Sequence, residues 1–253
     1  MFEGLVRSFL YYPLQNPREA PVPPYCGDPD EVWINAGDGN EIHGLHWKAA
    51  EGRPTILFFH GNAQSVFEWC LIHEELAPAE CGLLLIDYPG YGKSSGQPAE
   101  EGLYAAGRAS LEWLKAEGGV PEGRIVLFGK SLGGPVAAET AMHCQPLGVV
   151  LESTFRSIPH VARKLLPMLP VDAVLKSERY ETAERVPKIG APVLVIHGTI
   201  DELIPFAEGQ ALFELAGEPK AHFWVEQAGH NDVSMVAERA YGERLREWLD
   251  KIE

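Results

Sequence analysis

Short, almost uninterrupted apolar runs constrain this chain more than any other feature: TILFF from Thr55, GLLLID from Gly82, RIVLF from Arg124 and PVLVIH from Pro192. A strand with one wet face alternates apolar and polar residues, whereas continuous runs of this kind mark strands covered on both faces. Longer stretches with helical spacing separate them, so the pattern predicts βαβ crossovers and a mostly parallel sheet. Strands are expected at Val32–Asn35, Glu41–Trp47, Thr55–Phe59, Leu83–Asp87, Ile125–Phe128, Val149–Glu152, Val193–His197 and Phe223–Glu226. Only Ala36-Gly37-Asp38-Gly39-Asn40 joins the first two, which makes them an antiparallel hairpin. A closing helix is expected where Val233, Val236, Ala237, Ala240, Tyr241, Leu245, Trp248 and Leu249 recur at three-and-four spacing.

The expected fold class is therefore α/β: an eight-stranded, mostly parallel sheet with helices on both faces. A chain of 253 residues, 45% hydrophobic, suits one domain over 1–253. Residues 1–24 read as an N-terminal extension. The stretch from about 153 to 190 holds Pro159, Pro167, Pro170 and Pro187 but no strand pattern, as a small cap over an open cleft would. Its Val161, Leu165, Leu166, Met168 and Leu169 lean towards an apolar substrate group.

The opening MFEGLVRSFLYY could align Phe2, Leu5, Val6, Phe9 and Leu10 on one helical face, but Glu3 and Arg7 interrupt it. It is too short to span a bilayer, so packing on the domain is expected over a membrane anchor. With 36 acidic against 21 basic side chains, net charge −15, the chain is a poor partner for nucleic acid or an anionic membrane. Cys26, Cys70, Cys81 and Cys144 are scattered and read as reduced thiols of a cytoplasmic protein.

The strand RIVLF runs straight into Gly129-Lys130-Ser131-Leu132-Gly133-Gly134 and then the helix-forming VAAETAM. This is G-x-S-x-G between a strand and a helix, the setting that thrusts a serine out of a sharp turn. Gly92-Lys93-Ser94-Ser95-Gly96 matches the same pattern, but no strand feeds it directly. Neither Gly-Lys-Ser triplet has the glycine five residues upstream that a phosphate-binding loop needs. A serine nucleophile needs a base. His230 fits, lying in Ala228-Gly229-His230-Asn231-Asp232 beyond the last strand. Asp201, three residues past VLVIHG, gives the order Ser, Asp, His and would fix the imidazole tautomer. Glu152 is the rival acid, and Asp232 reads as support for the helix after it. His60 and His197 sit in His-Gly steps at strand ends, where a structural role fits better. The Leu132 amide and that of Asn62, with Ala63 behind it, are the expected oxyanion hole.

With these residues in view, the chain resembles the alpha/beta-hydrolase superfamily from about Val32 to Leu249. It is most similar to the small-cap alpha/beta-hydrolase domain-containing branch that includes protein depalmitoylases. FFHGNA, DYPGYGKSSGQPAEEGLY, GKSLGG, ESTFRSI, VLVIHGTIDELIP and AGHND carry the resemblance. It implies Ser131 as nucleophile, Asp201 as acid and His230 as base, with Asp87-Tyr88 and Gly90-Tyr91-Gly92 shaping the loop beside the cleft. No cysteine-rich, lipidated start of the membrane-bound relatives is seen. A role for Lys130 is not assigned.

The expected function is hydrolysis of a small-molecule acyl ester or thioester, without cofactor or metal. HEELA at His73 is not HExxH, and a dehalogenase would want aspartate at 131. A peptidase of the same fold, or a non-catalytic binding protein, is the alternative.

Overall fold

The computed structural model describes residues 7–8, 10–37, 39–165, 168, 171 and 175–253. Phe2, Leu5, Val6 and Phe9 lie outside the described residues, as do Leu166, Pro167, Leu169, Pro170 and the Leu165 side chain. The strands are β1 (Asp30–Asn35), β2 (Glu41–Trp47), β3 (Thr55–Phe59), β4 (Gly82–Ile86), β5 (Ile125–Lys130), β6 (Gly148–Glu152), β7 (Val193–Gly198) and β8 (Lys220–Val225). The longer helices are α1 (Glu100–Ala116), α2 (Gly133–Thr140), α3 (Ile158–Leu165), α4 (Phe206–Leu215) and α5 (Arg239–Ile252).

All eight strands form one sheet in the order β1-β2-β4-β3-β5-β6-β7-β8. Pairing is antiparallel where β2 meets β1 and β4, and parallel from β4 across to β8. The continuous apolar runs are explained by double coverage. Leu57, Phe59, Ile125 and Leu127 pack with Leu103 and Tyr104 of α1, Val136 of α2 and Leu212 of α4. Their neighbours Ile56, Phe58, Val126 and Phe128 face the other way, onto Phe67, Ile72 and α5 residues Leu245, Trp248 and Leu249. Successive residues thus bury on opposite faces, and truncating one to alanine would cost about 2–5 kcal/mol.

Chain order reverses between β3 and β5, since β3 is flanked by β4 and β5. In open parallel sheets such a reversal leaves a crevice beyond the carboxyl ends of the strands. The β3 and β5 end loops are the ones carrying HGNA and GKSLGG.

Three expectations need correction. Cys26 and Cys70 form a disulfide, with Cα atoms 5.3 Å apart, leaving Cys81 and Cys144 free. The pair becomes adjacent only when the turn before β1 packs against the Val66–Trp69 helical turn, which spacing alone does not reveal. The thiol-based reading of a cytoplasmic compartment falls with it. The closing helix is broken: Val233–Ala237 ends at Glu238, whose φ of +50° redirects the chain into α5. Asp232 stands at the start of Val233–Ala237 but makes no side-chain cap; its carboxylate accepts the Gly229 N–H at 2.6 Å, bracing the His230 loop instead.

In the cap region, Val161 packs against the core and Met168 is exposed. Among the described residues, no helix is long and apolar enough to cross a membrane.

Candidate active site

Ser131 sits at the turn between β5 and α2 with φ +52°, left-handed backbone that a side-chain-bearing residue adopts at a cost of about 1–3 kcal/mol. Neighbouring groups hold it there. The Ser131 N–H donates to Glu152 O at 2.8 Å, and its carbonyl accepts Thr154 Oγ1 at 2.7 Å and Gly134 N–H at 3.0 Å. Two glycines make the turn possible by close approach. A Cβ on Gly133 would come within 1.9 Å of Phe59 O, and one on Gly129 within 2.2 Å of Gly133 O.

The structure brings Ser131, His230 and Asp201 into one hydrogen-bonded run. Asp201 Oδ2 lies 2.8 Å from His230 Nδ1, and His230 Nε2 lies 3.0 Å from Ser131 Oγ. Burial alone would raise the Asp201 pKa. Hydrogen bonds from His197 and His230, the His230 charge and the Ile204 N–H outweigh it and hold the carboxyl well below the ordinary range. An ionised carboxylate only accepts, so Nδ1 carries the proton and Nε2 is left to accept from the serine hydroxyl. That is the tautomer a general base needs.

Asp201 is fixed by more than its loop position. Its Oδ1 accepts the Leu203 and Ile204 N–H groups at 2.9 and 2.7 Å. His197 Nε2 donates to Ile204 O at 2.9 Å and lies 3.3 Å from Asp201 Oδ2. The His-Gly step at 197 is therefore structural, as expected, but what it structures is the Asp201 carboxylate.

Glu152 does not approach His230. It is the cross-strand register partner of Lys130, and the two form a buried ion pair at 2.7 Å. Tyr241 donates its hydroxyl to the other carboxylate oxygen. Lys130 thereby acquires a meaning: it neutralises a carboxylate buried at the base of the elbow. Ser94 is likewise structural, since its hydroxyl donates to Asp87 O and accepts the His43 N–H, each at 2.9 Å.

The loop after β3 faces Ser131. Gly61 lies so close that a Cβ there would sit 3.6 Å from Ser131 Cβ. Ala63 and Gln64 follow with φ of +82° and +67°. Among the described residues, neither the Leu132 nor the Asn62 amide has an acceptor within the chain. The aromatic loop after β4 braces this turn, as the resemblance implied: Tyr88 donates to His60 O and Tyr91 to Asn62 Oδ1, both at 2.8 Å. His60 is fully buried against Tyr88, and burial lowers its pKa. A cleft of about 710 Å³ opens here, lined by Tyr12, Trp69, Leu71, Lys130, Leu203 and Ser131 among others.

A model of the alpha/beta hydrolase fold matches residues 54–170. An uncharacterized protein of Mycobacterium tuberculosis is 34% identical over 249 residues, 96% of this chain and 86% of that one. The chain belongs to the alpha/beta-hydrolase family. Alpha/beta hydrolase domain-containing protein 17C of Homo sapiens is 35% identical over 202 residues, 79% of this chain but 59% of that protein's length. Among solved structures, an esterase of Pyrococcus furiosus superposes with a TM-score of 0.75 at 20% identity, over 95% of this chain and 97% of that one. An esterase from Rhodococcus gives 0.68 at 20% identity, over 88% and 99%. At such identities these two speak for the fold alone.

Position separates this cleft from a second cavity. One of about 400 Å³, lined by His46, Arg53, Thr55 and Arg124, lies at the amino ends of β3 and β5. Ligands of this hydrolase architecture belong at the carboxyl ends. Sequence reasoning missed three parts of the site: the His197 brace, Thr154 under the elbow, and the N-terminal residues that reach Asn62. Thr154 had a readable signal in ESTF directly after β6; the other two depend on contacts distant in sequence.

Proposed function

We propose that this hydrolase-family chain cleaves carboxylic esters or thioesters through an acyl-enzyme on Ser131. The reading rests on one observation above all: the unbroken hydrogen-bonded run from Ser131 Oγ through His230 to Asp201. His230 takes the serine proton as Oγ attacks the acyl carbon, and Asp201 stabilises the imidazolium that forms. The amides of Leu132 and Asn62 receive the tetrahedral oxyanion, each such donor contributing about 3–4 kcal/mol in comparable sites. His230 then gives its proton to the departing alcohol or thiol. Water, activated by the same imidazole, releases the acid and restores Ser131.

The cleft wall favours substrates with an apolar portion. Tyr12, Leu71 and Leu203 line it while remaining exposed. Fluorophosphonate labelling, with a panel of p-nitrophenyl esters of graded chain length, tests the proposal. Labelling and turnover should both vanish in Ser131→Ala. A folded wild-type chain that neither labels nor turns over any ester or thioester would refute it.

A further inference from the structure

Residues 10–16 run as a strap along the loops after β3 and β4, and Tyr12 of this strap lines the cleft. Pro13 pairs with Gln64, and Gln15 with Gly92, as isolated parallel bridges. Gly92 N–H donates to Leu14 O at 2.7 Å, and Asn16 N–H to Gly92 O at 2.8 Å. At the other end, the buried Tyr11 hydroxyl meets Glu178 and Tyr180, and Arg7 pairs with Glu178 at 2.7 Å.

Beside the Pro13–Gln64 bridge, one side chain ties this segment to the loop after β3. Asn62 Nδ2 donates to Leu10 O at 2.6 Å. Its Oδ1 accepts the Tyr12 N–H at 3.1 Å and the Tyr91 hydroxyl at 2.8 Å. Both amide ends are thus matched, and a flipped carboxamide would mismatch the two backbone contacts, to Leu10 O and the Tyr12 N–H. The backbone it holds is strained at the next two residues, Ala63 and Gln64. Strain of this kind persists only where surrounding contacts over-determine it. On the far side, Trp69 Nε1 donates to Ala63 O at 3.2 Å, so the loop is held from both flanks.

We infer that the Asn62 carboxamide is a positioning residue, tying the loop after β3 to residues 10–13 so that the strap sets where the Asn62 amide points. This deepens the proposed hydrolase reading and rests on it. The backbone amide touches the oxyanion; the side chain acts through it. Loosening the tie therefore lowers transition-state stabilisation more than substrate binding. Complete loss of one oxyanion donor reduces kcat by about 10²–10³-fold, and a donor that is displaced but present loses part of that.

The test uses the full chain and two independent cuts at the same tie. Asn62→Ala removes the carboxamide. Tyr12→Pro removes the N–H that the carboxamide accepts, and Tyr12→Ala removes the ring while keeping that N–H. For a p-nitrophenyl ester, kcat of Asn62→Ala should fall about tenfold or more with KM within about threefold, a partial loss of one donor. Affinity for a trifluoromethyl ketone, which binds as an oxyanion adduct, should fall in parallel with kcat/KM. Tyr12→Pro should turn over severalfold more slowly than Tyr12→Ala, and the double variant should lose less than the sum of the two single losses, because Asn62→Ala already removes the contact that Tyr12→Pro cuts. A loss confined to KM, equal kcat for the two Tyr12 variants, or full additivity in the double variant overturns the inference. Should Asn62→Ala fail to fold, the Tyr12 pair still decides. Turnover that survives Ser131→Ala, or none in the wild type, overturns the hydrolase reading itself and this inference with it.

Discussion

Replacing Asp201 by asparagine tests the proposed chemistry with little change of shape. Oδ1 of Asp201 accepts two backbone N–H groups, from Leu203 and Ile204, while Oδ2 faces His230 Nδ1. In the variant the amide oxygen must stay on the backbone side, because turning an NH2 towards two N–H donors forfeits two hydrogen bonds at about 0.5–1.5 kcal/mol each and strands the donors. The NH2 then lies where Oδ2 was, 2.8 Å from Nδ1. It donates, so Nδ1 must accept and the ring proton moves to Nε2. Nε2–H now donates towards Ser131 Oγ, and no lone pair remains to take the serine proton. Where this tautomer inversion has been made in a serine-protease triad, kcat falls about 10⁴-fold. That corresponds to about 5.4 kcal/mol of barrier at 1.36 kcal/mol per decade. Steady-state kinetics on a p-nitrophenyl ester, beside a thermal melt showing retained fold, measure it. KM should change little. A folded variant with kcat within tenfold of wild type would mean that another group orients the ring, and the assignment of Asp201 would be wrong.

Acid stability should carry the same signature. Asp201 is held below the ordinary carboxylate range, so its stabilisation is complete above the unfolded pKa near 4 and is lost as pH falls towards the folded value. Wild type and Asp201→Asn should therefore converge in urea midpoint as pH drops from about 5 to 2; parallel curves would contradict this. Glu152→Gln strands the buried Lys130 ammonium, so stability should fall by about 3–5 kcal/mol while kcat drops far less than in Asp201→Asn. The reverse ranking would restore Glu152 as the acid. The Cys26–Cys70 disulfide closes a loop with a sequence separation of 44, worth about 4 kcal/mol of chain entropy. Replacing both cysteines by serine should lower the unfolding free energy by about that amount. Mass spectrometry of the unreduced chain checks the pairing, and Cys81 and Cys144, whose thiols burial pushes up to about 12, should alkylate slowly at pH 8.

Much of the architecture was legible because burial on both faces leaves a local trace. β2 and β3 fall on the expected residues, and the other strands shift by a few residues at their ends. The loops that carry Ser131 and Asp201 could be read because each follows a fully buried apolar strand, whereas His230 follows the partly exposed edge strand β8 and was picked out by its place after the last strand. What escaped depends on partners distant in the chain. Nothing near Cys26 points to Cys70, and nothing in Tyr11-Tyr12 points to Asn62 or Glu178. Lys130 and Glu152 acquire their relation only from strand register. Glu238 escaped for another reason: the apolar spacing runs through it without a glycine or proline, yet its backbone turns left-handed.

The distribution of backbone strain bears on where this chain gives up stability for geometry. Left-handed residues that carry side chains follow the carboxyl ends of four strands: Ala63 and Gln64 after β3, Ser131 after β5, Ser153 after β6 and Gln227 after β8. At the amino ends of β3 and β5 the left-handed positions are Gly52 and Gly119, where a Cβ would meet nothing within 4 Å. Among the described residues, five of the eight such positions thus gather at the end of the sheet that holds the cleft; the others are Glu80 before β4, Tyr180 between β6 and β7, and Glu238 at the break before α5. If the loop after β3 is strained to present its amide, relieving it should raise stability and reduce turnover together. Ala63→Gly removes the Cβ penalty of about 1–2 kcal/mol and adds about 0.5–1 kcal/mol of unfolded-state entropy, for a net gain near 0.5–1 kcal/mol. That gain should appear as a higher urea midpoint, with kcat lower by severalfold because the loop samples more conformations. A destabilised Ala63→Gly would show that φ at this position is not what costs the fold, and unchanged kcat would separate the strain from the chemistry.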